Sequence, residues 1–126
     1  MKVSLAIVMV CLFVFLCAGV SPAQNVTSVE ARVAPQGHNG PCPAVFEAKG
    51  VIESTHGTVR YRWERSDNSH SAVMTYVFHG RERKIVTHIW RLSKPTTVTY
   101  HGWMRLHVIS PVSMESAPAH FELHCR

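Results

Sequence analysis

At 126 residues, the chain is too short for a multidomain architecture, and its formal charge of +5 is only a modest basic excess. Such an excess suits a soluble surface or an acidic partner rather than specific nucleic-acid recognition. The four cysteines show no C-x-x-C spacing, so a metal pair among them is not expected.

Lys2 precedes an apolar run over 3–20, and Ser21-Pro22-Ala23 sets small residues at its exit. A positive start, an apolar stretch and a small-residue exit describe a signal peptide over 1–23, cleaved after Ala23. An uncleaved anchor is the rival, since the run is about long enough to span a bilayer. Cleavage makes the protein secreted, without a transmembrane segment, and leaves it a charge of +4 once Lys2 is gone. It also removes Cys11 and Cys17. Cys42 and Cys125 then remain as an even pair in an oxidising compartment, where a disulfide is the default.

Residues 24–41 carry Pro35, Gly37, Gly40 and Pro41 with little periodicity, and read as a flexible leader. The domain proper is expected over 42–126. Its first strand, 42–54, puts Ala44, Phe46 and Ala48 on one side, with Gly50 marking a bulge where the facing side changes. The second, 57–66, alternates Val59, Tyr61 and Trp63 with Arg60, Arg62 and Glu64, and Trp63 is the expected core centre. A turn over 67–70 leads to a third strand, 71–79, with Met74, Tyr76 and Phe78 on one side. The charged segment GRERK, 80–84, reads as a connection. A fourth strand, 85–92, turns Val86, Trp90 and Leu92 inward, and 96–100 is a loop or short edge piece.

The fifth strand, 102–110, faces Met104, Leu106 and Val108 in and Trp103, Arg105 and His107 out. After a turn at 111–118, the last strand, 119–125, faces Ala119, Phe121, Leu123 and Cys125 in and His120, Glu122 and His124 out. These two strands are expected to pair with Arg105 opposite Glu122, His107 opposite His120 and Trp103 opposite His124. Short strands at regular spacing with no helical period indicate an all-β, antiparallel sandwich of about six to seven strands. In an up-down succession of six, the first strand begins and the last ends at the same end. That brings Cys42 near Cys125, as a disulfide requires.

CPAVFEAKGVI, YRWERSD, GWMRLHVISP and the closing Cys125 resemble secreted bacterial immunoglobulin-like or fibronectin type III-like modules. The resemblance covers 42–125. It implies that Trp63 takes the place of the core Trp on strand C, that the six strands are B to G, and that the residues just after Cys42 do what remains of strand A. It implies no enzymatic activity. The cysteine pair departs from the antibody pattern, whose disulfide joins strands B and F.

The chemistry-bearing residues give no catalytic set. Asp67 is the only aspartate, and its neighbours Ser69 and His70 share its turn, where sequence neighbours cannot hold triad geometry. His120-x-Glu122-x-His124 puts three potential ligands on one face. A strand rises about 3.4 Å per residue, so i and i+2 can share an ion but i and i+4 cannot. A zinc site would need Glu122, one flanking His and a ligand from the next strand, with His107 the candidate. The plainer reading is a wet polar face, and no metal or other cofactor is expected. The candidate binding face is the outer surface of the second, fifth and sixth strands: Arg60, Arg62, Trp103, Arg105, His107, His120 and His124, with Glu64 and Glu122 among them. An anionic glycan or an envelope protein is the partner such a face suggests; the plainer reading is Arg–Glu cross-strand pairing with Trp103 covering an edge. The alternative is a structural envelope or matrix protein without a dedicated ligand.

Overall fold

The computed structural model describes residues 25–126. The signal peptide expected over 1–23 and its cleavage lie outside the described residues. Nine strands follow in chain order: β1 (Val26–Ala34), β2 (Gly37–Gly40), β3 (Ala44–Ser54), β4 (Gly57–Arg65), β5 (Met74–Phe78), β6 (Glu82–Leu92), β7 (Thr99–Ser110), β8 (Met114–Glu115) and β9 (Ala119–Cys125). One sheet has the order β1-β3-β6. The other runs β2-β9-β7-β4-β5, with β8 added to β7. Every pairing is antiparallel except β2 with β9. The chain is thus an all-β, immunoglobulin-like sandwich, and the alternation of its strands packs one face of each sheet against the other.

The strand count exceeds the expected six to seven because the stretch expected to be a flexible leader is structured. Val29, Ala31 and Val33 in β1 stand opposite Ile52, Gly50 and Ala48 of β3. Their period-two spacing buries one side, which the Pro and Gly residues of 35–41 obscured in the sequence. Those residues instead mark where the chain leaves one sheet and joins the other: β2 runs parallel to β9, from Gly37 beside Glu122 to Gly40 beside Cys125. What remains of a first strand therefore precedes Cys42 and serves both sheets. The fourth and fifth expected strands also begin earlier, at Glu82 and Thr99, so much of GRERK belongs to β6.

Gly50 is not a bulge. β3 pairs with β6 without interruption from Ala44–Leu92 to Ser54–Glu82, and Gly50 keeps the inward parity of Ala48 and Ile52. Its role is close approach: a Cβ there would lie 2.5 Å from Leu106 Cδ2 and 2.9 Å from the Trp63 ring. Gly102 serves Phe121 likewise. The two are cross-strand partners, and a Cβ on Gly102 would meet the Phe121 ring at 2.3 Å. Phe121 in turn stacks on Phe46 from the other sheet at 4.0 Å, and Trp90 meets it edge-on at 5.8 Å.

The β7–β9 register differs from the expected one by four in the pairing sum. Trp103 faces His120, His101 faces Glu122, and Gly102 faces Phe121. Leu106 does not face Phe121, nor His107 His120. The inside–outside parity is unchanged, because the slip is even. Its cause is β8 in the expected turn: Met114 and Glu115 pair with Val108 and His107, occupying the far half of β7. Buried Ser116 then secures the step between β8 and β9. Its Oγ accepts the Leu106 N–H (2.9 Å) and donates to the Ala117 carbonyl (3.0 Å).

Cys42 and Cys125 form the disulfide, with Cα atoms 5.5 Å apart. It joins the approach to β3 in one sheet to the end of β9 in the other. The up-down parity of β3, β4, β5, β6, β7 and β9 survives, since β8 runs in the direction of β9. The β6 edge has no strand partner among the described residues beyond β3. It turns Lys84 and His88 toward the interior side, a device that discourages further strand addition. Lys84 Nζ lies 4.6 Å from the Tyr76 ring centroid. Burial, reinforced by the charge of Arg65, holds the His88 pKa below the ordinary histidine value.

Candidate functional site

Strands β4, β7 and β9 lie side by side, so their outward residues share one face, as the alternation predicts. The register divides that face into two groups. At one end Glu64 of β4 stands opposite Arg105 of β7, and Arg62 stands opposite His107. Glu64 Oε1 accepts Arg105 Nε at 2.8 Å, and Oε2 accepts Arg62 Nη2 at 2.9 Å and Nε at 3.2 Å. A carboxylate only accepts, so His107 donates to it from Nδ1, at 3.1 Å, while His107 Nε2 meets Ser113 Oγ at 2.9 Å. Glu115 of β8 adds a looser pairing with Arg105 at 3.5 Å. The expected Arg105–Glu122 pair is absent, because β8 displaces β9 from this part of β7.

Burial alone would raise the Glu64 pKa. The hydrogen bonds from Arg105, His107 and Arg62 outweigh it and bring the carboxyl from 4.5 down to about 2. A depressed carboxyl pKa stabilises the fold above its unfolded value, and that contribution is lost as pH falls from 4.5 toward 2. With a side chain 14% exposed, the contribution is roughly 2 kcal/mol after discounting for solvent screening. Glu64→Gln should therefore lower stability at neutral pH by about that amount and flatten the acid limb. Urea midpoints measured across the acid range check this. An acid limb of unchanged slope would show that another group carries it.

Glu64, His107 and Glu115 also bring one ligand atom each within 4.8 Å of one another. The guanidinium groups already on both carboxylates make the trio a poor cation site, since a metal would have to displace them. The predicted residues Arg62, Arg105 and His107 thus come together around Glu64. Arg60 stays exposed at the other end of β4, beside Thr75 and Ser110. Trp103 is half-buried, with the Arg105 guanidinium 5.1 Å from its ring centroid, and His120 faces it across the ladder.

The second group lies about 20 Å along β7 from His107, at roughly 3.4 Å per residue. His101 faces Glu122, with Nδ1 3.8 Å from Oε1. His124 faces Thr99, whose Oγ1 is 3.4 Å from the imidazole Nδ1. Beyond them a recess of about 510 Å³ is lined by Gly37, His38, Asn39, Thr99, Glu122 and His124. The sequence reading missed His101, Asn39 and Glu115, each in a segment expected to be loop, leader or turn. Outward alternation running back from Trp103 was the available signal for His101.

In the turn after β4, Asp67 accepts the Ser69 N–H at 2.9 Å and the Ser69 hydroxyl. The hydroxyl bond from Ser69 is the main cause lowering the Asp67 pKa. Ser69 Oγ also accepts Arg65 Nε at 2.7 Å, whereas His70 Nδ1 meets the Ser71 carbonyl at 3.0 Å. His70 is thus engaged away from the Ser69 hydroxyl.

No family model matches the chain, and no curated protein matches it. Among solved structures, the CARDB domain of the PF1109 protein from Pyrococcus furiosus is similar. That structure is a complex with di-metal ions. The likeness has a TM-score of 0.56 at 11% identity and covers 82% of this chain and 97% of that one. At that identity the similarity concerns the sandwich fold. No helix of the described residues is long and apolar enough to cross a membrane.

Proposed function

We propose that this chain is a secreted, non-catalytic, immunoglobulin-like binding module. Its ligand-facing surface is the outer face of β4, β7 and β9, and its partner is anionic, such as an acidic glycan. The observation that carries this reading is the charge layout of that face. Glu64 takes both Arg62 and Arg105, and Glu115 of β8 adds to Arg105, whereas Arg60 is exposed and forms no ion pair among the described residues. Arg60 is thus the unpaired guanidinium of a face that also carries the half-buried Trp103. An unpaired guanidinium is a charge-assisted donor to an anionic group such as a carboxylate. The disulfide closing a separation of 83 residues supports an oxidising, extracellular setting. The neighbour's fold is compatible with an interaction module.

Arg62 and Arg105 are poor probes of binding, since replacing either strips the half-buried Glu64 of one of its partners. The test is Arg60→Gln combined with His101→Gln and His120→Gln, all at exposed positions. The parent should be retained on an anionic polysaccharide matrix at neutral pH, and less in salt. The variant should lose that salt-sensitive retention. Equal retention of parent and variant would remove this face as the site. No retention by either would favour the structural reading, a matrix or envelope protein without a dedicated ligand.

A further inference from the structure

We infer that His101, Glu122 and His124 form a surface site for a divalent transition metal of the zinc class. The proposal goes beyond the anionic-partner reading and does not depend on it. It departs from the expectation of no metal, and from the zinc alternative that took His107 as the third ligand, because the register puts His101 opposite Glu122.

Glu122 and His124 are two residues apart on β9, so both point outward one pleat apart, about 7 Å between Cα atoms. His101 stands directly across the ladder from Glu122, on β7. Two ligands at i and i+2 of one strand and a third from the neighbouring strand form a triangle on a rigid support. Strand-borne ligands are held more firmly than loop-borne ones. His101 Nδ1 and Glu122 Oε1 are already 3.8 Å apart. Two donors of a tetrahedral zinc ion with bonds of about 2.0–2.1 Å sit roughly 3.3 Å from one another, so this pair has about half an ångström to close. His124 completes the set by rotation about its side-chain torsions. It has room to do so: the small Thr99 faces it on β7, and Asn39 beside it on β2 is engaged by Arg126.

His120, on the other side of Glu122, is the weaker third ligand. It faces Trp103, which carries the Arg105 guanidinium over its ring, and a fixed cation there opposes a second one. The same objection weakens the Glu64–His107–Glu115 trio. On the His124 side, Arg126 is held by Asn39 Oδ1 at 2.7 Å. Two imidazoles and one carboxylate are borderline donors suited to zinc, and three protein ligands leave a fourth position for water or for a donor atom of a partner.

The experiment is titration of the untagged, oxidised full chain with zinc chloride at neutral pH, followed calorimetrically. About one ion per chain should bind saturably. His101→Ala, Glu122→Gln and His124→Ala should each weaken binding by more than tenfold, at least the loss that altering outer-shell groups brings. His107→Ala should leave it unchanged. A second measurement uses unmodified protein: paramagnetic Co²⁺ should broaden the ring protons of His101 and His124 before those of His107. Absence of saturable binding would overturn the proposal. So would zinc affinity that survives all three substitutions, or that is lost with His107→Ala, which would place the ion at Glu64.

Discussion

Trp63→Ala is expected to lower the unfolding free energy by about 3–5 kcal/mol, the range for truncating a large buried aromatic. Trp63 has no solvent exposure, and its ring fills the space that Gly50 leaves open in the facing sheet. Gly50 has no side chain with which to move into the void, and its backbone is held on both sides, by Ala31 of β1 and Val86 of β6. Leu106, which lies over the same glycine, and half-buried His88, stacked on the indole at 6.1 Å, are the side chains placed to relax. One small offset exists: the buried Trp63 Nε1 has no hydrogen-bond partner, so truncation also removes an unsatisfied donor. Urea denaturation with an unchanged m-value is the check. A loss below about 1 kcal/mol would mean that the two sheets collapse onto each other without the indole.

Replacing Cys42 and Cys125 together by Ala should cost about 2–5 kcal/mol, as for native disulfides in small secreted domains. The bond spans a separation of 83 residues, so in the chain-entropy model most of its effect lies in restricting the unfolded ensemble. In the native state it reinforces an end already held by backbone bonds. Gly40 pairs with Cys125, and the Arg126 N–H donates to the Gly40 carbonyl at 2.9 Å. The double variant should therefore keep the fold while its denaturation midpoint falls. A midpoint unchanged from that of the oxidised parent would show that β2 and β9 alone hold this end. Mass analysis of the parent under non-reducing conditions should find no free thiol among the residues of the domain.

The distribution of outcomes along the face has a physical cause. Arg62, Arg105 and His107 were legible as outward residues because alternation depends only on the local backbone. Cross-strand Arg–Glu pairing on this face was the plainer expectation, and Arg105 with Glu64 supplies it; that Glu64 rather than Glu122 is the partner needed the register. Glu64 engages Arg62 and Arg105, and of the three arginines of the face Arg60 alone forms no ion pair among the described residues.

Sequence by itself determined the class of fold, the inward set outside 50–54, Trp63 at the centre and the Cys42–Cys125 pairing. Each follows from a period of two or from parity, which survive any even slip. The tertiary structure alone decided what depends on distance between strands. It built β1 and β2 from 26–40, because the buried side of Val29, Ala31 and Val33 has meaning only against β3. It made Gly50 a seat for Trp63 rather than a bulge, since close approach is a property of the facing sheet. It set His101 rather than Arg105 against Glu122, because the two residues of β8 claim the far half of β7. Inside–outside parity is a local property of the pleat, whereas register is chosen among even slips by turns and packing that no single strand encodes.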